Sequence, residues 1–323
     1  MISRLFRVFA ICAALAAAFA DQPAASRFLI TEPDDGLVAI DNLLSCAGRT
    51  IDMTMYELVD STAEQLLADA SRRGVAVRVI LDQNLEHRNN QAAYNFLQQN
   101  GVRVVWAPPQ FAATHQKSIV VDGVIAAIMT LNLTSRYYAS TRDYAVLDTD
   151  PGDIAAMEQV FDADFSGLEN GSAPGADLFW SPVNADTGLL QMIRSAKQSL
   201  QIEAEEMSAT DIVNALVAAA AAGVRVEVVM TYDSTYAANL AKLAAAGAHV
   251  STYDPDAALY IHAKVILADY GTPDAKAFIG SENFSVASLK RNRELGIVIT
   301  EAGILQSLAG TLARDFRGGS PLP

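Results

Sequence analysis

The two halves of this 323-residue chain repeat one another, with an offset of about 150 residues. Residues 71–81 resemble residues 220–230, and residues 97–104 resemble residues 243–250. A glycine-rich stretch at 166–177 separates the halves. Self-similarity in one register indicates two copies of a folding unit. The predicted organisation is a first domain at 21–168, a linker at 169–176 and a second domain at 177–323.

Segments of helical periodicity alternate with short β-branched runs in each half. In the first half they predict helices at 34–46, 61–73 and 89–99, strands at 50–56, 76–82 and 102–106, and a hairpin of strands 115–121 and 124–129. Such alternation is typical of α/β proteins. We therefore predict two homologous α/β sandwich lobes, with mixed, mostly parallel sheets flanked by helices and related by a pseudo-twofold axis.

The N-terminus has the composition of an export signal. Arg4 and Arg7 precede an apolar run at 8–19, and small residues surround position 20. This pattern predicts a cleaved signal peptide at 1–20 and a periplasmic or secreted protein; an uncleaved membrane anchor is the alternative. The formal net charge of −14 disfavours average attraction to nucleic acid or to anionic membranes.

One polar motif, His-x-Lys-x-x-x-x-Asp, occurs once in each half and uses two of the four histidines. Its residues are His115, Lys117 and Asp122 in the first half and His262, Lys264 and Asp269 in the second. On an extended segment the His and Lys side chains share a face. Lysine is rarely buried without a function, so we predict that these two pairs form a site.

Further polar residues follow each hairpin at matched spacing. They are Asn132 and Asp143 in the first half and Asn283 and Glu294 in the second. A neutral imidazole can attack phosphorus while a protonated one donates to the leaving oxygen. Ammonium and amide groups can bind the non-bridging oxygens, and carboxylates can orient the imidazoles. The combination favours cleavage of a phosphodiester.

The paired motifs, the Gly280-Ser281-Glu282-Asn283 stretch and the Asn292-Arg293-Glu294 stretch resemble the phospholipase D superfamily. The resemblance implies two lobes around one site, a phosphohistidine intermediate, and no metal or cofactor. It implies that His115 is the nucleophile and His262 the general acid, with Asp122 and Asp269 structural. The candidates for phosphate binding are Thr130 and Ser281. The first half departs from the pattern, because Met129-Thr130 replaces Gly-Ser and Asp143 replaces Glu.

The leading functional hypothesis is hydrolysis of phospholipid headgroups by a monomer that contacts the membrane surface transiently and needs no obligate partner. Alternatives are a cardiolipin-synthase-like phosphatidyl transferase, an endonuclease and a non-catalytic binding protein. The arginines Arg136, Arg142 and Arg293, with Lys290 and Arg291, are interpreted as a solvated face, or alternatively as a second phosphate site. Glu205 and Glu206 align with Tyr56 and Glu57, and a position facing the cleft is a weaker hypothesis for them.

Overall fold

Residues 26–168 and 174–322 are described in the structure, which is a computed structural model. The predicted signal peptide at 1–20 lies outside the described residues, as do residues 169–173 of the predicted linker. Within the described ranges, no helix combines the length and apolar character needed to span a membrane.

The first lobe alternates strands and helices as its sequence pattern predicts. Its strands are β1 (Arg27–Glu32), β2 (Thr50–Met55), β3 (Leu58–Val59), β4 (Ala76–Leu81), β5 (Arg103–Trp106), β6 (Ser118–Val121), β7 (Ile125–Met129), β8 (Leu133–Thr134) and β9 (Thr141–Asp148). Its helices are α1 (Val38–Ser45), α2 (Ser61–Arg72), α3 (His87–Gln99) and α4 (Pro151–Phe165). Strand β1 was absent from the prediction.

The second lobe repeats the main order of elements, without counterparts of the short strands β3 and β8 and with an added helix and terminal strand. Its strands are β10 (Leu178–Ser181), β11 (Ser199–Ala204), β12 (Arg225–Thr231), β13 (His249–Tyr253), β14 (Tyr260–Ile261), β15 (Lys264–Ala268), β16 (Lys276–Gly280), β17 (Glu294–Ile299) and β18 (Ser320–Pro321). Its helices are α5 (Ala185–Ser195), α6 (Thr210–Ala221), α7 (Ala237–Ala245), α8 (Val286–Lys290) and α9 (Ala302–Gly318), with a 3₁₀ turn at Ser234–Tyr236.

The two main sheets have matching strand orders, β1-β9-β7-β6-β2-β4-β5 and β10-β17-β16-β15-β11-β12-β13-β18. The prediction of two homologous α/β lobes is therefore confirmed. The expectation of mostly parallel sheets is wrong, since only β2-β4-β5 and β11-β12-β13 pair in parallel along these paths. Helical crossovers join the strands of each parallel set, as parallel neighbours require. The other neighbours along these paths pair antiparallel, among them the hairpins β6-β7 and β15-β16.

Each sheet has helices on its outer face, and the inner faces of the two sheets share one core. Helices α1, α2 and α3 cover the first sheet, and α5, α6 and α7 cover the second. Between the sheets, Val120 and Ile128 of the first lobe belong to the same buried cluster as Val265 and Ile279 of the second. Each such aliphatic side chain contributes about 1.5–3 kcal/mol when fully buried, so this shared core holds the lobes in a fixed relation.

The motif aspartates connect the hairpin turns to the backbone at the start of strands β2 and β11. Asp122 accepts backbone hydrogen bonds from Gly48, Arg49 and Thr50 at 2.7–2.9 Å. Asp269 accepts the equivalent bonds from residues 197–199 at 2.7–3.1 Å. Both aspartates have positive φ, at 56° and 53°, a conformation that aspartate tolerates better than most residues. Their geometry is that of structural residues.

Candidate active site

Backbone hydrogen bonds between the lobes position both motif histidines. The His115 N–H donates to the carbonyl of Arg293 at 2.9 Å, and the His262 N–H donates to the carbonyl of Arg142 at 3.2 Å. The residues just before the histidines make the same kind of contact. Thr114 pairs with Arg293, which precedes Glu294, and Ile261 pairs with Arg142, which precedes Asp143. This explains why β6 begins at Ser118 rather than at the predicted position 115, because the backbone of His115 bonds to the opposite lobe.

The two arginines that accept these backbone hydrogen bonds also form buried ion pairs between the lobes. Arg142 pairs with Asp315 at 2.5 Å, and Arg293 pairs with Asp164 at 2.8 Å. Each pair joins the two lobes, and all four side chains are almost completely buried. Removal of one partner from a buried pair costs about 3–5 kcal/mol, so these contacts resist separation of the lobes. The prediction of a solvated face is wrong for Arg142 and Arg293, because the opposite lobe supplies a carboxylate to each.

The catalytic carboxylates are exchanged between the lobes. Nδ1 of His115 lies 2.8 Å from Oε2 of Glu294, and Nδ1 of His262 lies 2.8 Å from Oδ1 of Asp143. Burial alone would raise the pKa values of both acids, but the partner histidine and a nearby lysine outweigh it and lower them. Each carboxylate therefore fixes an Nδ1–H tautomer and leaves Nε2 available to a substrate.

Both motif lysines lie behind the histidines. Nζ of Lys117 donates to the carbonyl of His115 at 2.5 Å, and Nζ of Lys264 donates to the carbonyl of His262. Burial, reinforced by the charge of Lys264, lowers the pKa of Lys117 to about 7. Burial also lowers the pKa of His115; Glu294 opposes this shift and Lys117 adds to it. A neutral His115 next to a lysine that can be charged is suited to attack on an anionic diester.

A cleft lies between the two lobes, and the predicted asparagines reach it whereas the predicted hydroxyl residues do not. Asn132 and Asn283 line it, and Nδ2 of Asn283 lies within 3.2 Å of two carboxylates. Thr130 and Ser281 are completely buried. Thr130 donates to Asp143 at 2.6 Å, and Ser281 accepts from the Leu295 N–H at 3.1 Å. Their prediction as phosphate-binding residues is wrong for this cleft, because packing places these hydroxyls beneath it.

The cleft between the lobes has a volume of about 590 Å³ and contains both histidines. Its other polar lining consists mainly of carboxylates and phenols. They are Glu57, Asp143, Glu205, Glu206, Tyr56, Tyr137, Tyr138 and Tyr260. Among the described residues, no group of three or more His, Cys, Asp or Glu side chains is arranged to hold a metal ion.

One family model, described as "Cardiolipin synthase, PLD-like domain", matches residues 40–165 and again residues 189–316. The two matches fall on the two lobes and together cover well over half of the chain. The chain belongs to the phospholipase D superfamily. The resemblance found in the motifs is therefore confirmed, and the chemistry of the superfamily is reaction at a phosphodiester.

Individual relatives of this phospholipase D-like chain have distant sequences. Cardiolipin synthase A of Klebsiella pneumoniae is 26% identical over 334 residues, which cover 87% of this chain and 67% of the synthase. The structure of phosphatidylserine synthase from Haemophilus influenzae superposes with a TM-score of 0.69 at 13% identity, covering 90% of this chain and 86% of the synthase. Polyphosphate kinase from Porphyromonas gingivalis gives 0.74 at 15% identity, covering 90% of this chain, but this chain spans only 47% of the kinase.

The cleft also contains residues that the motifs do not include. Glu205 and Glu206 line it, as the weaker hypothesis held, and so do the aligned Tyr56 and Glu57. The ring of Tyr56 lies 4.5 Å from the ring of His115, edge to face, and Nζ of Lys117 lies 4.9 Å from its centroid. Their position in the sequence identifies these four residues. Each pair directly follows a strand that is hydrogen-bonded to the motif hairpin, β2 in the first lobe and β11 in the second.

Proposed function

We propose that this phospholipase D-like protein cleaves phospholipids at the headgroup phosphodiester, with His115 as nucleophile. The exchange of carboxylates between the lobes carries this proposal. Because Glu294 and Asp143 each engage an Nδ1 atom, two differently placed Nε2 atoms are left for one substrate. That arrangement supports a two-step displacement with a covalent intermediate.

In the first step, Nε2 of His115 attacks phosphorus and the bond from phosphorus to the headgroup oxygen breaks. His262 donates its proton to that oxygen, and the headgroup leaves as an alcohol. In the second step, His262 takes a proton from water, the resulting oxygen attacks phosphorus, and the bond to His115 breaks. The products are a headgroup alcohol and phosphatidic acid. The ammonium group of Lys117 stabilises the charge that is distributed over the phosphoryl oxygens, whereas the ammonium group of Lys264 is paired with Glu205 at 2.8 Å.

The lining of the cleft supports a lipid rather than a nucleic acid. Nucleic acids bring further phosphates next to the scissile one, and their binding depends on lysine and arginine along the groove. Here the wall contains Glu57, Glu205 and Glu206, and Arg136 at its edge is paired with Glu57 at 3.2 Å. An isolated phosphodiester between neutral or cationic groups suits this surface better.

Transfer to an alcohol is the second candidate. The same phosphohistidine reacts with whichever hydroxyl reaches it, and the name of the cardiolipin synthase relative favours an alcohol acceptor. Tyrosine hydroxyls and carboxylates in the cleft can hydrogen-bond to a polyol. Water and glycerol thus compete for the intermediate in this proposal.

The proposal predicts headgroup release from mixed phospholipid vesicles in the presence of EDTA. The purified chain would be incubated with vesicles of phosphatidylcholine, phosphatidylethanolamine and phosphatidylglycerol, with and without glycerol, and the lipids separated by mass. Phosphatidic acid indicates hydrolysis, whereas cardiolipin, or phosphatidylglycerol that has incorporated isotope-labelled glycerol, indicates transfer. Nicking of supercoiled plasmid without any lipid product would instead identify a nuclease. In every case the His115→Ala variant is the negative control.

The pH profile of kcat/KM should have an alkaline limb near neutrality. The pKa of Lys117 is lowered to about 7 by burial and by Lys264, so the free enzyme loses this ammonium as the pH rises through that value. The acid limb should lie below the ordinary histidine range, because burial lowers the pKa of His115 and keeps it neutral. A bound diester favours the ammonium, so the alkaline limb of kcat should lie higher.

Lys117→Arg provides the control for this profile, because arginine stays protonated throughout the range. It should remove the contribution of Lys117 to the alkaline limb of kcat/KM, so that any limb left in the variant reports loss of the proton from the general acid His262. A wild-type kcat/KM that stays constant from pH 6 to pH 9 would contradict the proposed role of Lys117.

A further inference from the structure

One oxygen of Glu205 contacts three donors of the second lobe's half of the site. Its Oε2 lies 2.8 Å from Nζ of Lys264, 3.2 Å from Nδ2 of Asn283 and 3.7 Å from Nε2 of His262. An ammonium and an amide N–H, joined by the imidazole when His262 is protonated, converge on one point and form a binding position for a single anionic oxygen. In this structure that position is filled by the chain's own carboxylate.

Glu205 is ionised in this setting. Burial alone would raise its pKa, but Lys264 and His262 outweigh burial and hold the pKa well below the usual range for a glutamate. It is therefore a fixed negative charge at neutral pH. Its neighbour Glu206 reaches only Asn283 among these donors, at 3.1 Å, and burial raises the pKa of that carboxyl.

The first lobe has no acid at the matching position. Tyr56 stands there, 149 residues before Glu205 in the aligned register, and presents a neutral ring to Lys117 and His115. Lys117 donates to a backbone carbonyl instead. The two halves of the site are thus unequal in charge, although their motifs are identical.

We propose that Glu205 is a charge-selecting residue, which occupies the second lobe's phosphoryl-oxygen position and makes the cleft prefer a monoanionic phosphodiester over a dianionic phosphate monoester. A dianion placed against Lys264 meets the full repulsion of the Glu205 carboxylate, whereas a diester with one charge is held by the first lobe's Lys117 and repelled less. Free phosphate and the monoester product are thereby disfavoured. The choice of phospholipid as substrate rests on the proposed function, but the preference between the two charge states does not.

The test is the binding of inorganic phosphate to the full chain, measured by isothermal titration calorimetry near pH 7, where a large part of the phosphate is a dianion and Lys117, with a pKa of about 7, keeps part of its ammonium. Glu205→Gln keeps the size of the side chain and removes its charge, so it should tighten phosphate binding by about 10-fold or more. Glu227→Gln is the matched control, because it removes a second-lobe charge that pairs with Arg225 near the start of β12 and does not line the cleft, and it should change the dissociation constant by less than about 3-fold. Equal tightening in both variants, or no tightening in Glu205→Gln, would overturn the inference.

A second variant, at Tyr56 in the first lobe, tests the same inference even when Glu205→Gln does not fold. Tyr56→Glu gives the first lobe the acid of the second and should weaken phosphate binding by about 10-fold or more, whereas Tyr56→Phe should not. Unchanged binding in Tyr56→Glu, with a wild-type melting temperature, counts against charge selection. Because these measurements need no turnover, they remain decisive even when no phospholipid is cleaved. Lipid cleavage with no effect of Glu205→Gln on phosphate binding would reject the inference and leave the proposed function standing.

Discussion

Replacement of His115 by alanine should reduce turnover by roughly 10⁴-fold or more, the scale on which enzymes respond to loss of a covalent nucleophile. Its Nε2 forms the bond to phosphorus in the proposed mechanism, and no neighbouring group can supply an equivalent nitrogen, because His262 is held by Asp143 on the opposite side of the site. The measurement is kcat on phospholipid vesicles, together with rapid acid-free quenching of a phosphorus-labelled substrate and mass spectrometry of the histidine peptides.

The wild-type protein should carry the label on the peptide that contains His115, and His115→Ala should carry none. Alanine at His249 is the control, because that side chain is exposed at the start of β13, away from the cleft; both its rate and its labelling should match the wild type. Label on the peptide with His262 would reverse the assigned roles. Such a result would contradict the assignment of the nucleophile without affecting the fold.

Much of the fold follows from local patterns in the sequence. Helix α2 was predicted at 61–73 and is found at Ser61–Arg72, and β4 was predicted at 76–82 and is found at Ala76–Leu81. Asp60 caps α2 by accepting from the Thr62 N–H, so this helix start has a local cause. Periodicity and capping act over a few residues and can therefore be recognised without knowledge of the partner elements.

The contacts between lobes could not be predicted in the same way. Glu294 lies 179 residues after His115, and His262 lies 119 residues after Asp143. Equal spacing within each half is compatible with pairing inside a lobe or between lobes, and only packing of the two sheets decides between them. The same is true of the Arg293 side chain, which looks like a surface residue in sequence and is buried against Asp164. Strand β1 was missed for a related reason, since its partner β9 is remote in sequence.

Packing also corrected the prediction for the Gly-Ser position. In sequence, a serine between glycine and the site asparagine is a reasonable phosphate ligand. In the fold, Gly280 lies against Gly296 of the neighbouring strand, where an added Cβ would lie 2.5 Å from the Gly296 Cα. Next to this close approach, the Ser281 hydroxyl accepts from the Leu295 N–H, and its carbonyl lies 3.1 Å from Nδ1 of His115. Ser281 thus supports the histidine through its backbone.

Glu294→Gln should reduce kcat by about 10²- to 10⁴-fold, because it allows the wrong tautomer of the nucleophile. In the wild type, Oε2 of Glu294 accepts from Nδ1–H of His115, which leaves the lone pair on Nε2 free. Ser288 and Asn292 donate to the other oxygen at 2.6 and 3.0 Å and hold the carboxylate in place. A glutamine amide can donate to Nδ1 instead, which moves the proton to Nε2 and removes the lone pair that attacks phosphorus.

The reciprocal variant, Asp143→Asn, should behave differently because its partner is the proposed acid. Asp143 accepts from Nδ1 of His262 and supports its protonated form, so the loss should be severe with a natural alcohol leaving group. With a p-nitrophenyl phosphodiester, whose leaving group departs without protonation, Asp143→Asn should recover most of its rate in the first step. Glu294→Gln should remain impaired, because attack by His115 is needed with either substrate. Pre-steady-state release of p-nitrophenol separates the two cases, and equal impairment of both variants on this substrate would contradict unequal roles for the histidines.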